Sequence, residues 1–350
     1  MTILLAILAF GILIAVHEGG HFVAAKACGV KVNEFSLGMG PALLKKQGKE
    51  TLYALRLLPI GGYCAMEGED EETGDPRAFT AKPAWQRIII LCAGAAMNFL
   101  LGFVLILCIA HNANFTEPIV YDFMENCPYE GAIQVGDRFY SIDGHRTYFT
   151  NNVSEYLARA GSDTHRIVLI RDGKRVTLKD FSMPLVSYTQ EDGSVLRRYG
   201  FYFAPREFGF LADLRYSWYE SLDFVRLVWR SLGDLFTGSV GVQDLSGAVG
   251  VVDFVNQVTT EAETTEEATF DFVYIFALIA VNLAVMNMLP IPALDGGRVF
   301  FTLVTGCIEL IRGKRVDPKY EGYINAAGFV LLMGLMALVM FNDILKIIRR

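Results

Sequence analysis

Two histidines four residues apart, with a glutamate beside the first, stand at His17-Glu18-Gly19-Gly20-His21. On a helix this spacing puts both imidazoles on one face, where they reach one zinc ion. Glu18 is then free to act as general base for a water that the metal activates. The chemistry would be hydrolysis. The setting sharpens the reading, because the apolar run ILLAILAFGILIAV precedes the motif and FVAA follows it. Two histidines and a glutamate in a hydrocarbon layer are costly unless they bind or do something. The competing readings are an internally paired polar cluster and a structural zinc site. The latter would close with four protein ligands and leave the glutamate idle.

A catalytic zinc takes a third protein ligand, a histidine or an acidic residue, and keeps one position open. The segment Asn287-Met288-Leu289-Pro290-Ile291-Pro292-Ala293-Leu294-Asp295-Gly296-Gly297 offers one. Its two prolines break a helix, and unwound backbone at membrane depth survives only where it is buried in protein or lines a cavity. Asp295 follows the break and is the best candidate on chemistry alone. Its other reading is an N-cap for a helix at about 298–312.

The elements that must position these residues begin with membrane spans. The chain has 350 residues, 53% of them hydrophobic. Four stretches, at about 3–25, 88–110, 271–291 and 324–345, reach the roughly 20 mostly apolar residues a span needs. The first lacks the basic start and the small-residue cleavage site of a signal peptide, so it reads as a retained helix. Lys26, Lys31, Lys45, Lys46, Lys49, Arg77, Lys82 and Arg87 flank spans 1 and 2. Arg298, Arg312, Lys314, Arg315 and Lys319 lie between spans 3 and 4. Both loops therefore read as cytoplasmic, with the N-terminus and residues 111–270 outside. The C-terminal Lys346, Arg349 and Arg350 run against that arrangement. His17, about 14 residues into span 1, would sit roughly 20 Å from the outer surface, toward the cytoplasmic side of a core about 30 Å thick. The 111–270 segment carries 14 basic and 23 acidic residues in a chain of net charge −7, and nothing points to nucleic acid. The six cysteines form neither a disulfide framework nor a C-x-x-C metal site.

The chain divides into a first membrane part (1–110), a β-rich module (112–205), a linker with an amphipathic helix (206–270) and a second membrane part (271–350). Apolar runs about a turn at Gln47-Gly48-Lys49 predict a membrane-associated β-hairpin over about 42–63, with a plain surface hairpin as its alternative. The acidic run 67–75 reads as solvated. In the module, a turn, a strand and an Asp143-Gly144 turn precede a helix at 151–160. Two strands joined by Asp172-Gly173 follow. This order resembles a PDZ domain, a peptide-binding fold that works by strand addition; the usual carboxylate-binding loop is not legible before Gly131, and a β domain with no peptide groove is the other reading. Residues 210–236 predict a helix with an apolar stripe of Trp218, Phe224, Val225, Trp229 and Leu232. It suits either the membrane surface or the outward module.

Taken together these motifs resemble the site-2 protease family of intramembrane zinc metalloproteases, and within it the bacterial RseP-type members. The resemblance rests on His17–His21, on N-x-x-P-x-P-x-L-D-G at Asn287–Gly296, and on Phe35-Ser36-Leu37-Gly38-Met39-Gly40-Pro41. Gly61-Gly62-Tyr63, the PDZ-like module and Leu245-Ser246-Gly247-Ala248-Val249-Gly250 add to it. It implies a multi-pass α-helical membrane protein with about four spans and one extracytoplasmic PDZ-like domain. It further implies one zinc ion per chain on His17, His21 and Asp295, with Glu18 as base and Asn287 holding the substrate or its tetrahedral intermediate. Gly38, Gly40, Gly61 and Gly62 would contribute to substrate binding along the hairpin, whose edge would take an unwound helix. Substrates would be single-span membrane proteins already cut by another protease, such as anti-sigma factors, or remnant signal peptides. Position 19 departs from the family, which usually has a bulkier residue there. Two other classes remain for comparison. A membrane-anchored PDZ adaptor would need neither Glu18 nor Asp295, and a zinc transporter would need ionisable residues spread over several spans.

Overall fold

The computed structural model describes residues 2–69, 73–111, 116–159, 161–189, 194–205, 209–238, 247–262, 264–312 and 319–349. Leu245, Ser246, Lys314 and Arg315 of the sequence motifs lie outside these described residues. The first elements in chain order are α1 (Thr2–Ala27), β1 (Val32–Gln47), β2 (Leu52–Met66) and α2 (Ala84–Ala110). Next come β3 (Thr116–Phe123), β4 (Arg138–Ile142), β5 (His145–Arg146), α3 (Thr150–Arg159), β6 (Thr164–Arg171) and β7 (Lys174–Ser182). Then follow β8 (Val186–Thr189), β9 (Val195–Arg198) and β10 (Phe201–Pro205). The chain ends in α4 (Phe210–Thr237), α5 (Ala248–Glu261), α6 (Thr265–Asn287), α7 (Asp295–Arg312) and α8 (Lys319–Arg349). Two compact units result, 1–110 with 214–350, and 111–213.

In the first unit, α1, α2, α6 and α8 are long and apolar enough to cross a membrane. The third span ends at Asn287, four residues earlier than hydropathy alone suggests, because the prolines stop the helix. Lipid tails give helices no hydrophobic reason to associate, so close approach of small residues must do it. Ala277 and Ala280 on α6 are fully buried, and a Cβ on Gly102 of α2 would come within 3.0 Å of the Ala277 carbonyl oxygen. Leu13 of α1 and Phe276 of α6 complete this seam.

The hairpin expected over 42–63 is part of something larger. β1 and β2 bend back and pair twice, so that Phe35 faces both Cys64 and Tyr53. The bend falls at Gly38, whose φ of +85° and contact with the Arg56 carbonyl oxygen, 3.1 Å from a Cβ, admit no side chain. Arg56 stitches the bend. Its guanidinium donates to Ser36 Oγ at 2.8 Å, the Gly40 carbonyl at 2.6 Å and Glu34 Oε1 at 2.6 Å. Burial opposes ionisation of Glu34, but hydrogen bonds from Arg56 and Tyr63 prevail and hold its carboxyl below the ordinary value. Leu43, Leu44, Leu57 and Leu58 lie exposed on this sheet.

The second unit is an antiparallel sheet in the order β10-β3-β4-β6-β7, with β5 on β4. Its core holds Ile133, Phe139, Ile142, Val153, Ile167 and Leu169. The two Asp-Gly turns behave as their sequence predicts: Asp143-Gly144 and Asp172-Gly173 all have positive φ, which is the twist a two-residue hairpin requires.

The amphipathic helix α4 buries a mixed face. Phe224 is buried together with Ser217, Glu220 and Ser221, whereas Trp218 and Trp229 are about half exposed. Trp218 meets Phe99 and Phe103 of α2 edge-on. Glu220 accepts a 2.6 Å hydrogen bond from the Tyr274 hydroxyl of α6. Burial pushes the Glu220 carboxyl up to about 7, even though the Tyr274 hydrogen bond pulls the other way. A carboxyl raised in the folded state favours its protonated form, so the stability it contributes declines as pH rises from about 4.5 through about 7. Thermal melts of Glu220→Gln from pH 5 to 8 should therefore be flatter than wild type and higher above pH 7, by on the order of 2–3 kcal/mol at most. Parallel curves would reject this account of the residue.

Candidate metal centre and active site

The helix α1 presents His17 and His21 side by side with their rings nearly perpendicular, centroids 4.8 Å apart. Each ring is oriented from behind by α2. His21 Nδ1 lies 2.8 Å from the Ile90 carbonyl oxygen, which can only accept, so Nδ1 carries the proton and Nε2 a lone pair. Asn98 is wholly buried, its amide 3.3 Å from His17 Nδ1, and its Oδ1 otherwise has no partner. Turned to present Oδ1, the amide accepts Nδ1–H and leaves His17 Nε2 as a second lone pair.

Asp295 brings the third. Its Oδ2 stands 3.2 Å from His17 Nε2 and 3.3 Å from His21 Nε2, and the two nitrogens are 3.3 Å apart. A tetrahedral zinc with bonds of about 2.0–2.1 Å needs ligand atoms about 3.3–3.4 Å apart. The triangle therefore fits zinc in size and in chemistry. Asp295 Oδ2 is buried with no hydrogen-bond donor of its own, which a cation would satisfy. Among the described residues this is the one His, Cys, Asp or Glu group with metal-binding spacing.

The broken segment after α6 puts Asp295 there. Ala293 adopts φ +74°, and its N–H donates to Asn325 Oδ1 of α8 at 3.3 Å. A Cβ on Gly297 would lie 2.7 Å from the Ile291 carbonyl carbon, so the chain folds back on itself only with glycine at that position. The Arg298 N–H reaches the Leu294 carbonyl at 3.2 Å, making Asp295 the first residue of α7 rather than its N-cap. Its carboxylate is thus free to face the histidines.

Asn287, the last residue of α6, has its amide 3.4 Å from His17 Nε2. Among the described residues, the strand segment 62–66 of β2 pairs with β1 on one side only, and its Gly62 lies beside the motif. A Cβ on Gly62 would come within 3.1 Å of Glu18 Cγ. Of the four glycines expected to bind substrate, Gly62 alone has an active-site side chain among its nearest neighbours. Gly38, Gly40 and Gly61 contact Arg56, Leu58 and Met39 in the bend of the sheet.

The model of peptidase family M50 matches residues 5–335. The chain belongs to that family, the site-2 proteases. It is 36% identical over 346 residues to a Clostridium acetobutylicum protein bearing a zinc-metalloprotease name, covering 98% of this chain and 97% of the relative. It is 30% identical to the zinc metalloprotease RasP of Shouchella clausii, covering 99% and 100% of the two chains. It is 27% identical to the regulator of sigma-W protease RasP of Bacillus subtilis, covering 99% of each. This M50 chain is thus a zinc-dependent metalloprotease of the membrane.

Asn98 and Gly94 escaped sequence reading. The available signal was an amide in an otherwise apolar span, four residues after a glycine, where a polar group asks for a partner. A Cβ on Gly94 would lie 2.8 Å from both His17 Cε1 and His21 Cε1, whereas a Cβ on Gly19 meets nothing within 4 Å. Gly19 is therefore not required by packing. Gly94→Ala should lose zinc by metal analysis of the purified protein. Gly19→Ala should keep both zinc and activity, and the reverse pattern would sink this assignment of the two glycines.

Proposed function

We propose that this protein cleaves single-span membrane proteins within the bilayer, after another protease has shortened them, with zinc on His17, His21 and Asp295. The observation that carries the reading is the 3.2–3.3 Å triangle at the level of a membrane span, with a glutamate beside it. When bound, zinc supplies a Lewis acid that polarises the scissile carbonyl and lowers the pKa of water toward about 7. Glu18 takes the proton of the attacking water and delivers it to the leaving amine. Asn287 steadies the substrate beside His17.

A helical substrate hides its amides in its own hydrogen bonds, so it must unwind before hydrolysis. The one-sided strand 62–66 supports strand addition as the means, because freed substrate backbone can pair there next to Glu18. The Lys and Arg flanks support a cytoplasmic sheet and an N-terminus outside. They also favour an extracytoplasmic 111–213 unit, PDZ-like in its order of elements, which would pass only shortened substrates. The sigma-W protease name of the Bacillus subtilis relative supports anti-sigma-factor-like substrates. Remnant signal peptides share the same single-span chemistry.

Glu18→Gln should retain one zinc per chain and abolish cleavage; turnover by that variant would remove Glu18 from its role. Asp295→Ala should lower zinc content, and full occupancy would remove Asp295 from the ligand set. Expressed in the native host, Glu18→Gln should also accumulate single-span fragments with an outer truncation. Accumulation of intact multi-span proteins instead would contradict the substrate class.

A further inference from the structure

The third ligand is carried by a helix whose attachment to the rest of the site is indirect. The segment before Asp295 is broken, so α6 does not hold α7 in line. Besides its packing on α2, α7 is held by a cluster on the loop between β2 and α2. Arg298, one turn beyond Asp295 and therefore on a neighbouring face, pairs with Glu69. Its guanidinium also lies 5.9 Å from the centre of the Phe79 ring, and Arg87 lies 5.3 Å from the same ring. Arg87 in turn donates to Thr302 Oγ1 of α7 at 3.3 Å, and Thr302 is buried. Both members of the Arg298–Glu69 pair are about four-fifths buried, which favours the planar, weakly hydrated guanidinium over a lysine.

The described residues of this loop are tied down by backbone hydrogen bonds. Phe79 N–H donates to the Glu67 carbonyl at 2.7 Å, Glu67 N–H to Lys31, and Lys31 N–H to Arg77. Glu69 divides its carboxylate between two elements. One oxygen takes Arg298, and the other accepts the Met66 N–H at 3.2 Å. Met66 ends β2, four residues after Gly62, where the strand borders Glu18. A single carboxylate therefore joins the strand beside the base to the helix bearing the third ligand.

We propose that Glu69, Arg298 and Phe79 form a positioning clamp that holds Asp295 in the ligand triangle and in register with the strand at Gly62. The clamp touches neither substrate nor metal and acts only through Asp295. This inference rests on the ligand set proposed above, and the experiment separates the two. The full chain is purified in detergent as wild type, Asp295→Ala, Arg298→Lys, Glu69→Gln and the exchange Glu69→Arg with Arg298→Glu. Zinc affinity is measured by competition with a chelating dye, and the melting temperature is measured with zinc saturating.

Arg298→Lys and Glu69→Gln should each weaken zinc by about 10- to 100-fold, the range typical of groups that orient ligands. Their zinc-saturated melting temperatures should stay at the wild-type value, and the exchange should recover part of the affinity. Wild-type zinc affinity in both single variants overturns the clamp, as does a loss that only follows a fall in melting temperature. Retention of zinc by Asp295→Ala overturns the ligand set instead.

Discussion

Three ligand atoms converge within 3.3 Å of one another, and the neighbouring elements are arranged to permit it. A cation turns that closeness into affinity. The convergence requires that both imidazoles carry their protons on the far nitrogen. The α2 helix secures this through the Ile90 carbonyl and the Asn98 amide, and Gly94 leaves the rings the room they need. Catalytic geometry on α1 is therefore built largely by its neighbour.

Scarcity of water governs the backbone at membrane depth. A chain that leaves helical form at membrane depth must find partners within the protein. The 288–294 segment does so through Asn325 on α8 and through glycines that let it fold against itself. Strand 62–66 is the other exception: among the described residues it has a strand partner on one side only, with Gly62 against Glu18. Backbone groups on such an edge can take up an added strand. In α4, Ser217, Glu220 and Ser221 turn inward beside Phe224, while Trp218 and Trp229 stay about half exposed.

Much of this was legible before the fold was known. The spacing His17–His21 follows from helical period, the break from Pro290 and Pro292, and the hairpin turns from Asp172-Gly173 and Asp143-Gly144. These features are local, and a few neighbouring residues suffice to specify them. The β1–β2 sheet was only half legible, because its double pairing joins Phe35 to residues 18 and 29 positions away and depends on a bend at Gly38. Which face of α4 turns inward was left open, because periodicity reports an apolar stripe without saying whether protein or lipid covers it.

The sequence by itself determined the candidate site groups: two histidines and a glutamate close together on one helix, and an aspartate just past a proline break. It also determined that they lie in a membrane, since apolar length and Lys/Arg placement are properties of the chain alone. Only the tertiary structure decided that Asp295, 278 positions from His17, comes within 3.2 Å of it. Likewise only the fold brought Asn98 behind His17 and Gly62 against Glu18. Those are contacts between separate elements, whose distances depend on how helices and sheet pack. No local pattern of residues encodes them.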